Sequence, residues 1–235
     1  MGESSLPKPE TQRRALLLGA TGLVGQLCVR ELLDSEIYAQ VTVLTRRKIP
    51  LVHSRLRQIL VPDFKDLDSV LAGIDAEDIF CCLGTTIKKA GSQEAFRQVD
   101  YGFPMLAARL MRRRGSKHFL VVSALGADSS SRFFYNRVKG DLERDLALLD
   151  YSYLTIFRPS LLSGERNEAR LLEGVSNRVL DLVAPFMKGP LAQVRPIPAQ
   201  KVAQAMVAQA RLVADGLRHN KVQIVQSAAM QQESV

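Results

Sequence analysis

The stretch Gly19-Ala20-Thr21-Gly22-Leu23-Val24-Gly25 decides the fold. It follows the all-apolar run Ala15 to Leu18 and leads into Leu23, Val24, Leu27, Cys28 and Leu32, which recur at helical spacing. That pattern predicts strand, tight turn and helix. At such a junction the free N–H groups and the positive end of the helix dipole meet an anion, and side chains would block its approach. The loop departs from the G-x-G-x-x-G fingerprint: Ala20 stands where the first glycine belongs, and a glycine lies one position earlier. A G-x-x-G-x-x-G loop directly after a buried N-terminal strand predicts a dinucleotide pyrophosphate site.

Working outward, Val41 to Leu44, Gln58 to Val61, Ile79 to Leu83, His118 to Val122 and Leu154 to Phe157 read as further buried strands. Between them, Phe96, Val99, Phe103, Leu106 and Leu110 keep a helical phase, with Gly102 and Pro104 as candidate kinks. Phe134, Val138, Leu142 and Leu146 share another helical face. This alternation predicts an α/β Rossmann fold: a doubly wound parallel sheet with helices on both faces, plus a small C-terminal roof segment. The expected organisation is a flexible tail over 1–14, one domain over 15–225 with its roof at about 160–198, and a mobile tail over 226–235. The amphipathic piece Leu171 to Met187 and the segment Pro196-Ile197-Pro198 belong to the roof.

With 235 residues, 46% of them apolar, the chain can bury one large core. The opening residues have no apolar segment of signal-peptide type, and no apolar run reaches the roughly twenty residues of a membrane span. The net charge of +8 resides in local clusters such as Arg46-Arg47-Lys48 and Arg112-Arg113-Arg114. Without zinc-finger spacing, an aromatic RNA-binding pattern or a basic heptad, these do not predict nucleic-acid binding. The three cysteines lack a disulfide framework spacing, which gives the expectation of a reducing, cytoplasmic setting. The three histidines have no metal-site spacing, and neither G-x-S-x-G nor a phosphate-loop lysine motif occurs.

An NAD-specific site ends its second strand with an acid for the ribose 2′-hydroxyl. Here that neighbourhood is Thr45, Arg46 and Arg47, where guanidinium groups suit a 2′-phosphate, so the expected cofactor is NADP(H). Asp63 and Phe64 follow the third strand, where a short acid suits an adenine amino group, and Gly84 offers backbone access after the fourth. Tyr135 and Lys139 lie one helical turn apart, so the ammonium favours the phenolate. Ser123 ends the fifth strand, at the sheet edge where such folds place ligands. The three define a candidate catalytic set: Ser123 donating to a substrate carbonyl, Tyr135 supplying a proton, and Lys139 supporting both tyrosine and cofactor.

In this order, the glycine loop, Arg46, Ser123 and Tyr135-x-x-x-Lys139 resemble the atypical short-chain dehydrogenase/reductases. Within them the resemblance is to the Tat-interactive oxidoreductase-like NADPH-binding proteins, carried by Thr45-Arg46-Arg47-Lys48, Cys81 to Thr86, Lys117-His118-Phe119, Gly126-Ala127-Asp128, Val138-Lys139-Gly140 and Phe157-Arg158-Pro159. Beside Gly19 and Gly25 of the loop itself, the resemblance implies cofactor contacts from Thr21, Gly22, Leu23, Val24, Arg46, Arg47, Leu83 and Gly84. From the later segment it adds Leu162 and Arg170, and Pro159 is a further candidate cofactor contact. It also implies that Tyr135 transfers the proton, aided by Lys139. Leu23 and Val24 make the loop's middle apolar, so a side-chain bond to phosphate there falls to Thr21.

Two functions are expected from these features: an NADPH-dependent reductase of a small-molecule carbonyl substrate, or a non-catalytic NADPH-responsive regulator that binds a protein partner. A nucleotide-sugar epimerase shares the loop and the Tyr/Lys pair but needs a larger substrate lobe than the chain after Gly164 offers. The helices from Gln93 and Phe133 offer faces for a second copy, so a homodimer is an open expectation.

Overall fold

The computed structural model describes residues 13–62, 66–163 and 195–232. Seven strands, β1 (Arg13–Leu18), β2 (Tyr38–Thr45), β3 (Leu56–Leu60), β4 (Asp78–Cys81), β5 (His118–Val122), β6 (Tyr153–Arg158) and β9 (Val222–Gln226), form one sheet in the order β3-β2-β1-β4-β5-β6-β9. Every pairing is parallel. A two-residue pair, β7 (Leu162–Ser163) with β8 (Ile197–Pro198), is what the described residues hold of the expected roof. The rest of that segment, including Leu171 to Met187, lies outside them.

The strand β1 explains why the sheet is covered twice. Ala15 and Leu17 pack against Cys28 and Leu32 of helix α1 (Leu23–Asp34) and Val202 and Met206 of α7 (Ala199–Ala214). Leu16 and Leu18 face the opposite layer, with Leu67 of α2 (Leu67–Leu71), Met111 of α5 (Phe103–Arg113) and Leu142 of α6 (Phe134–Ala147). Adjacent strand residues point to opposite faces, so a strand buried on both sides reads as an unbroken apolar run. Two short helices, α3 (Ile87–Ala90) and α4 (Gln93–Arg97), follow β4.

Three expectations are corrected. The predicted long helix from Gln93 is interrupted, not by a kink at Gly102, but by a π-helical turn over Gln98–Gly102 in which the Phe103 N–H reaches back to the Gln98 carbonyl. Pro104 has no N–H to donate to residue 100, and widening the turn absorbs that missing bond. At the start, Arg13 and Arg14 are not tail: they open β1, and Arg13 pairs with the buried Asp78 at 2.6 Å. At the end, residues 226–232 are ordered structure rather than a mobile tail. Gln226 closes β9, and α8 (Ser227–Gln232) buries Ser227 and Met230. The strand β9 carried little signal because it is an edge strand with Val222 and Ile224 exposed, so its sequence lacks a buried run.

Candidate functional site

The strand order turns back on itself between β1 and β4, so the loops leaving these two strands diverge and open a crevice at their C-terminal ends. The glycine loop forms one wall. Gly19 takes φ +88, and a Cβ there would stand 2.5 Å from the Cys82 carbonyl oxygen, so only glycine lets the loops after β1 and β4 touch. Gly25 lies inside α1, where a Cβ would come within 2.1 Å of the Gly19 carbonyl oxygen. Its task is close packing of helix on loop. Gly22 caps α1 without any side-chain cap, and the first turn carries no acid, so its N–H groups are directed at the crevice without a competing carboxylate.

This crevice is a cleft of about 750 Å³. Its lining brings together Gly19, Thr21, Gly22, Leu23 and Val24, then Arg46 and Arg47, Leu83 and Gly84, and finally Ser123, Tyr135, Lys139 and Leu162. Gly25 and Pro159 are buried behind it and line nothing. Asp63, Phe64 and Arg170 lie outside the described residues. Ala20, at the position of the missing first glycine, is fully buried against the core. Both arginines are exposed at the end of β2, where the Thr45 hydroxyl donates to the Arg47 carbonyl at 2.7 Å and shapes the turn that carries them.

Helix α6 is set against the loop after β5 by Gly140, where a Cβ would meet the Ser129 nitrogen at 2.1 Å. The Asp128 N–H donating to the Asn136 carbonyl at 3.1 Å ties the same loop to the helix start. This close approach places Tyr135 and Lys139 in the cleft. The Tyr135 ring, 39% exposed, rests beside Phe96 with ring centres 5.7 Å apart.

Lys139 is buried and its ammonium lies 2.8 Å from the Asp100 carboxylate, itself buried in the π-helical turn. The other Asp100 oxygen accepts from the Thr85 N–H at 2.8 Å. Burial disfavours the lysine charge, but Asp100 and Tyr135 together outweigh it and hold the Lys139 pKa above the ordinary lysine value. Asp100 therefore links the lysine to the loop after β4. Sequence periodicity missed it, because an acid four residues after the buried Phe96 gives no sign in the sequence of the lysine it meets.

Ser123 departs from its expected role. It lines the cleft, yet its hydroxyl donates to Glu143, a buried residue of α6, rather than standing free for a carbonyl. Arg158 at the end of β6 donates to both Glu143 oxygens, its Nε at 3.1 Å from each, and this contact raises the arginine pKa despite partial burial. A signal for Glu143 was present in the sequence: Tyr135, Lys139 and Glu143 recur at four-residue steps on one helical face.

Comparison with known proteins bears on this arrangement. A family model described as NAD(P)H-binding matches residues 19–213. The chain is 36% identical over 162 residues to the protein HTATIP2 of Rattus norvegicus, a match spanning 67% of this chain and 66% of the rat protein. It is 33% identical over 215 residues to the protein FMP52, mitochondrial, of Candida albicans, covering 89% of this chain and 93% of that protein. Among solved structures, a short-chain dehydrogenase/reductase family oxidoreductase from Burkholderia thailandensis superposes with TM-score 0.67 at 18% identity over 94% of both chains. A UDP-glucose 4-epimerase from Thermotoga maritima superposes with TM-score 0.65 at 14% identity, over 91% of this chain and 76% of the epimerase. At such identities these two show the fold alone. The cytoplasmic expectation is overturned by the relatives, several of which are named mitochondrial; three unpaired cysteines fit any reducing compartment and never singled out the cytoplasm. On the family match and the relatives taken together, the chain belongs to the NAD(P)H-binding family, with HTATIP2 and FMP52 proteins among its relatives.

Proposed function

We propose that the protein is an NADP(H)-dependent oxidoreductase that reduces a small carbonyl compound, with Tyr135 as the proton donor. The observation that carries this reading is a single cleft holding the uncapped start of α1, the Arg46-Arg47 pair and the Tyr135/Lys139 pair. The N–H groups of the first turn of α1 suit a pyrophosphate, and Arg46 and Arg47 suit a 2′-phosphate. Asp100 is the one acid among the described lining residues, and it is committed to Lys139 and Thr85. NADPH, when bound, would supply a hydride to the carbonyl carbon, and Tyr135 would give its proton to the oxygen, leaving an alcohol and NADP⁺. Lys139, held charged by Asp100, stabilises the phenolate that Tyr135 leaves behind.

Replacing both arginines (Arg46→Ala with Arg47→Ala) is expected to weaken NADPH binding about 10- to 100-fold while leaving NADH affinity within about twofold, because only the 2′-phosphate loses its partners. Calorimetric titration with the two dinucleotides reads the difference, and equal losses would refute the assignment. For the chemistry, Tyr135→Phe should lower NADPH oxidation over a carbonyl panel about 10²- to 10⁴-fold with cofactor affinity unchanged. An unaltered rate removes Tyr135 from the mechanism.

A second reading, an NADPH-responsive binding protein with a protein partner, is favoured by one observation. The Lys139 ammonium is paired with Asp100 and the Ser123 proton with Glu143, so two groups of the expected catalytic set are already engaged. NADPH-dependent protection of the stretch from Leu162 to Met187 against protease, in a protein that turns over no carbonyl, would select this reading. By similarity to the FMP52 proteins, the proposed location is mitochondrial, which subcellular fractionation tests.

A further inference from the structure

Ser123 lies at the mouth of the sheet, on the residue after β5, with its backbone N–H donating to the Phe157 carbonyl at 2.8 Å. Ser123, though largely buried, is among the residues that line the cleft, and the partner of its hydroxyl, Glu143, is not. Both Glu143 oxygens accept from the Arg158 guanidinium, and a carboxylate held in this way has only acceptor sites to offer. At the Ser123–Glu143 contact the serine is therefore the donor. A serine has one proton and two lone pairs, so with the proton given to Glu143 it presents only lone pairs to a ligand. A carbonyl oxygen set against Ser123 would meet acceptor with acceptor. A hydroxyl or N–H would be satisfied.

We propose that Glu143 is a positioning residue that makes Ser123 a hydrogen-bond acceptor. The substrate of the cleft is then a carbonyl compound with a hydroxyl beside the reacting carbon, an α-hydroxy ketone or aldehyde, rather than a plain ketone. This rests on the reductase reading for its reaction, in which the carbonyl carbon gains hydride, its oxygen gains the Tyr135 proton, and a vicinal diol leaves. The neighbouring hydroxyl donates to Ser123 throughout and is unchanged. Rotating the serine proton into the cleft would remove a donor from a buried carboxylate, and that penalty is the source of selectivity against plain ketones.

The test compares kcat/KM for 2-hydroxycyclohexanone with cyclohexanone and with 2-methoxycyclohexanone, neither of which has a donor and the last of which keeps an acceptor oxygen. The wild type is expected to favour the hydroxy ketone about tenfold or more. Ser123→Ala should bring the ratio close to one. Glu143→Gln is nearly isosteric; its amide oxygen is retained by Arg158 and its NH₂ faces Ser123, so the serine proton is released into the cleft, 2-methoxycyclohexanone gains a donor, and the discrimination between it and the hydroxy ketone should be lost. A purely structural role for Glu143 would lower all three rates together. Binding supplies a second readout: calorimetric titration of the NADP⁺-saturated protein with trans-cyclohexane-1,2-diol and with trans-2-methoxycyclohexanol should follow the same order. If no compound is turned over but diol-selective binding is present and is lost in Ser123→Ala, the reductase reading falls and the acceptor role of Ser123 stands. Equal kcat/KM in the wild type, selectivity that survives Ser123→Ala, or the binding of neither ligand overturns it.

Discussion

Gly25→Ala is expected to abolish dinucleotide binding, weakening NADPH affinity by at least about 100-fold. The added methyl would lie 2.1 Å from the Gly19 carbonyl oxygen, with the Gly19 carbonyl carbon at 2.8 Å and the Ala20 Cα at 3.2 Å. All three neighbours are backbone, so no side chain can rotate away, and the loop or the start of α1 must move. Either motion pulls the first-turn N–H groups out of line with a pyrophosphate. Overpacking of this kind also destabilises the fold by about 1–3 kcal/mol. Gly22→Ala is the graded control, since its methyl would meet Gly19 oxygen at 3.2 Å and demands only a small shift. Titration of both variants against NADPH emission, with circular dichroism to confirm folding, gives the ordering. Wild-type affinity in Gly25→Ala would show that the loop is not the cofactor's seat.

Asp100→Ala should be among the most destabilising single substitutions outside the apolar core. It leaves the Lys139 ammonium buried without its counter-charge and the Thr85 N–H without its acceptor. Removing one member of a buried ion pair costs about 3–5 kcal/mol, a large part of a total stability of about 5–15 kcal/mol. For a chain of this size the unfolding midpoint falls by about 10 °C. The pH dependence has a defined sign. In the wild type the Lys139 pKa is raised, so its stabilisation is complete below the unfolded lysine value and is lost as pH climbs through the folded one. In Asp100→Ala burial, the largest influence, is opposed by Tyr135 without Asp100, so the folded pKa is expected to drop below the unfolded value and stability to rise with pH up to about 10. The gap between the two proteins therefore narrows from neutral to alkaline pH. Chemical denaturation at several pH values measures it, and a constant gap would mean that Lys139 is not the charge involved.

Both variants act at points the sequence described unequally. The glycine spacing, the apolar run before it and the helical phase after it were enough for the first βαβ unit, because a parallel strand covered on both faces must be apolar at every position. Arg46, Arg47, Tyr135 and Lys139 were legible for the same reason: each follows a recognisable strand or lies one helical turn from another. The edge strand β9 and the closing helix α8 were not, since an edge exposes half its residues and blurs the apolar run. Asp100 and the Ser123–Glu143–Arg158 set connect residues 15 to 39 apart in the chain, from the Asp100 to Thr85 bond to the Asp100–Lys139 pair.

By itself, then, the sequence determined the local chemistry: where a strand meets a helix, which loop lacks side chains, which face carries a tyrosine and a lysine. These follow from periodicity and from backbone constraints acting over a few residues. The tertiary structure alone decided what those groups are free to do. The π-helical turn holds Asp100 buried against Lys139, and Gly140 lets α6 approach closely enough to bring Glu143 to Ser123. Which donor or acceptor still faces the cleft depends on partners that meet only once the chain is packed, because a hydrogen bond, unlike a periodicity, has no reach along the sequence.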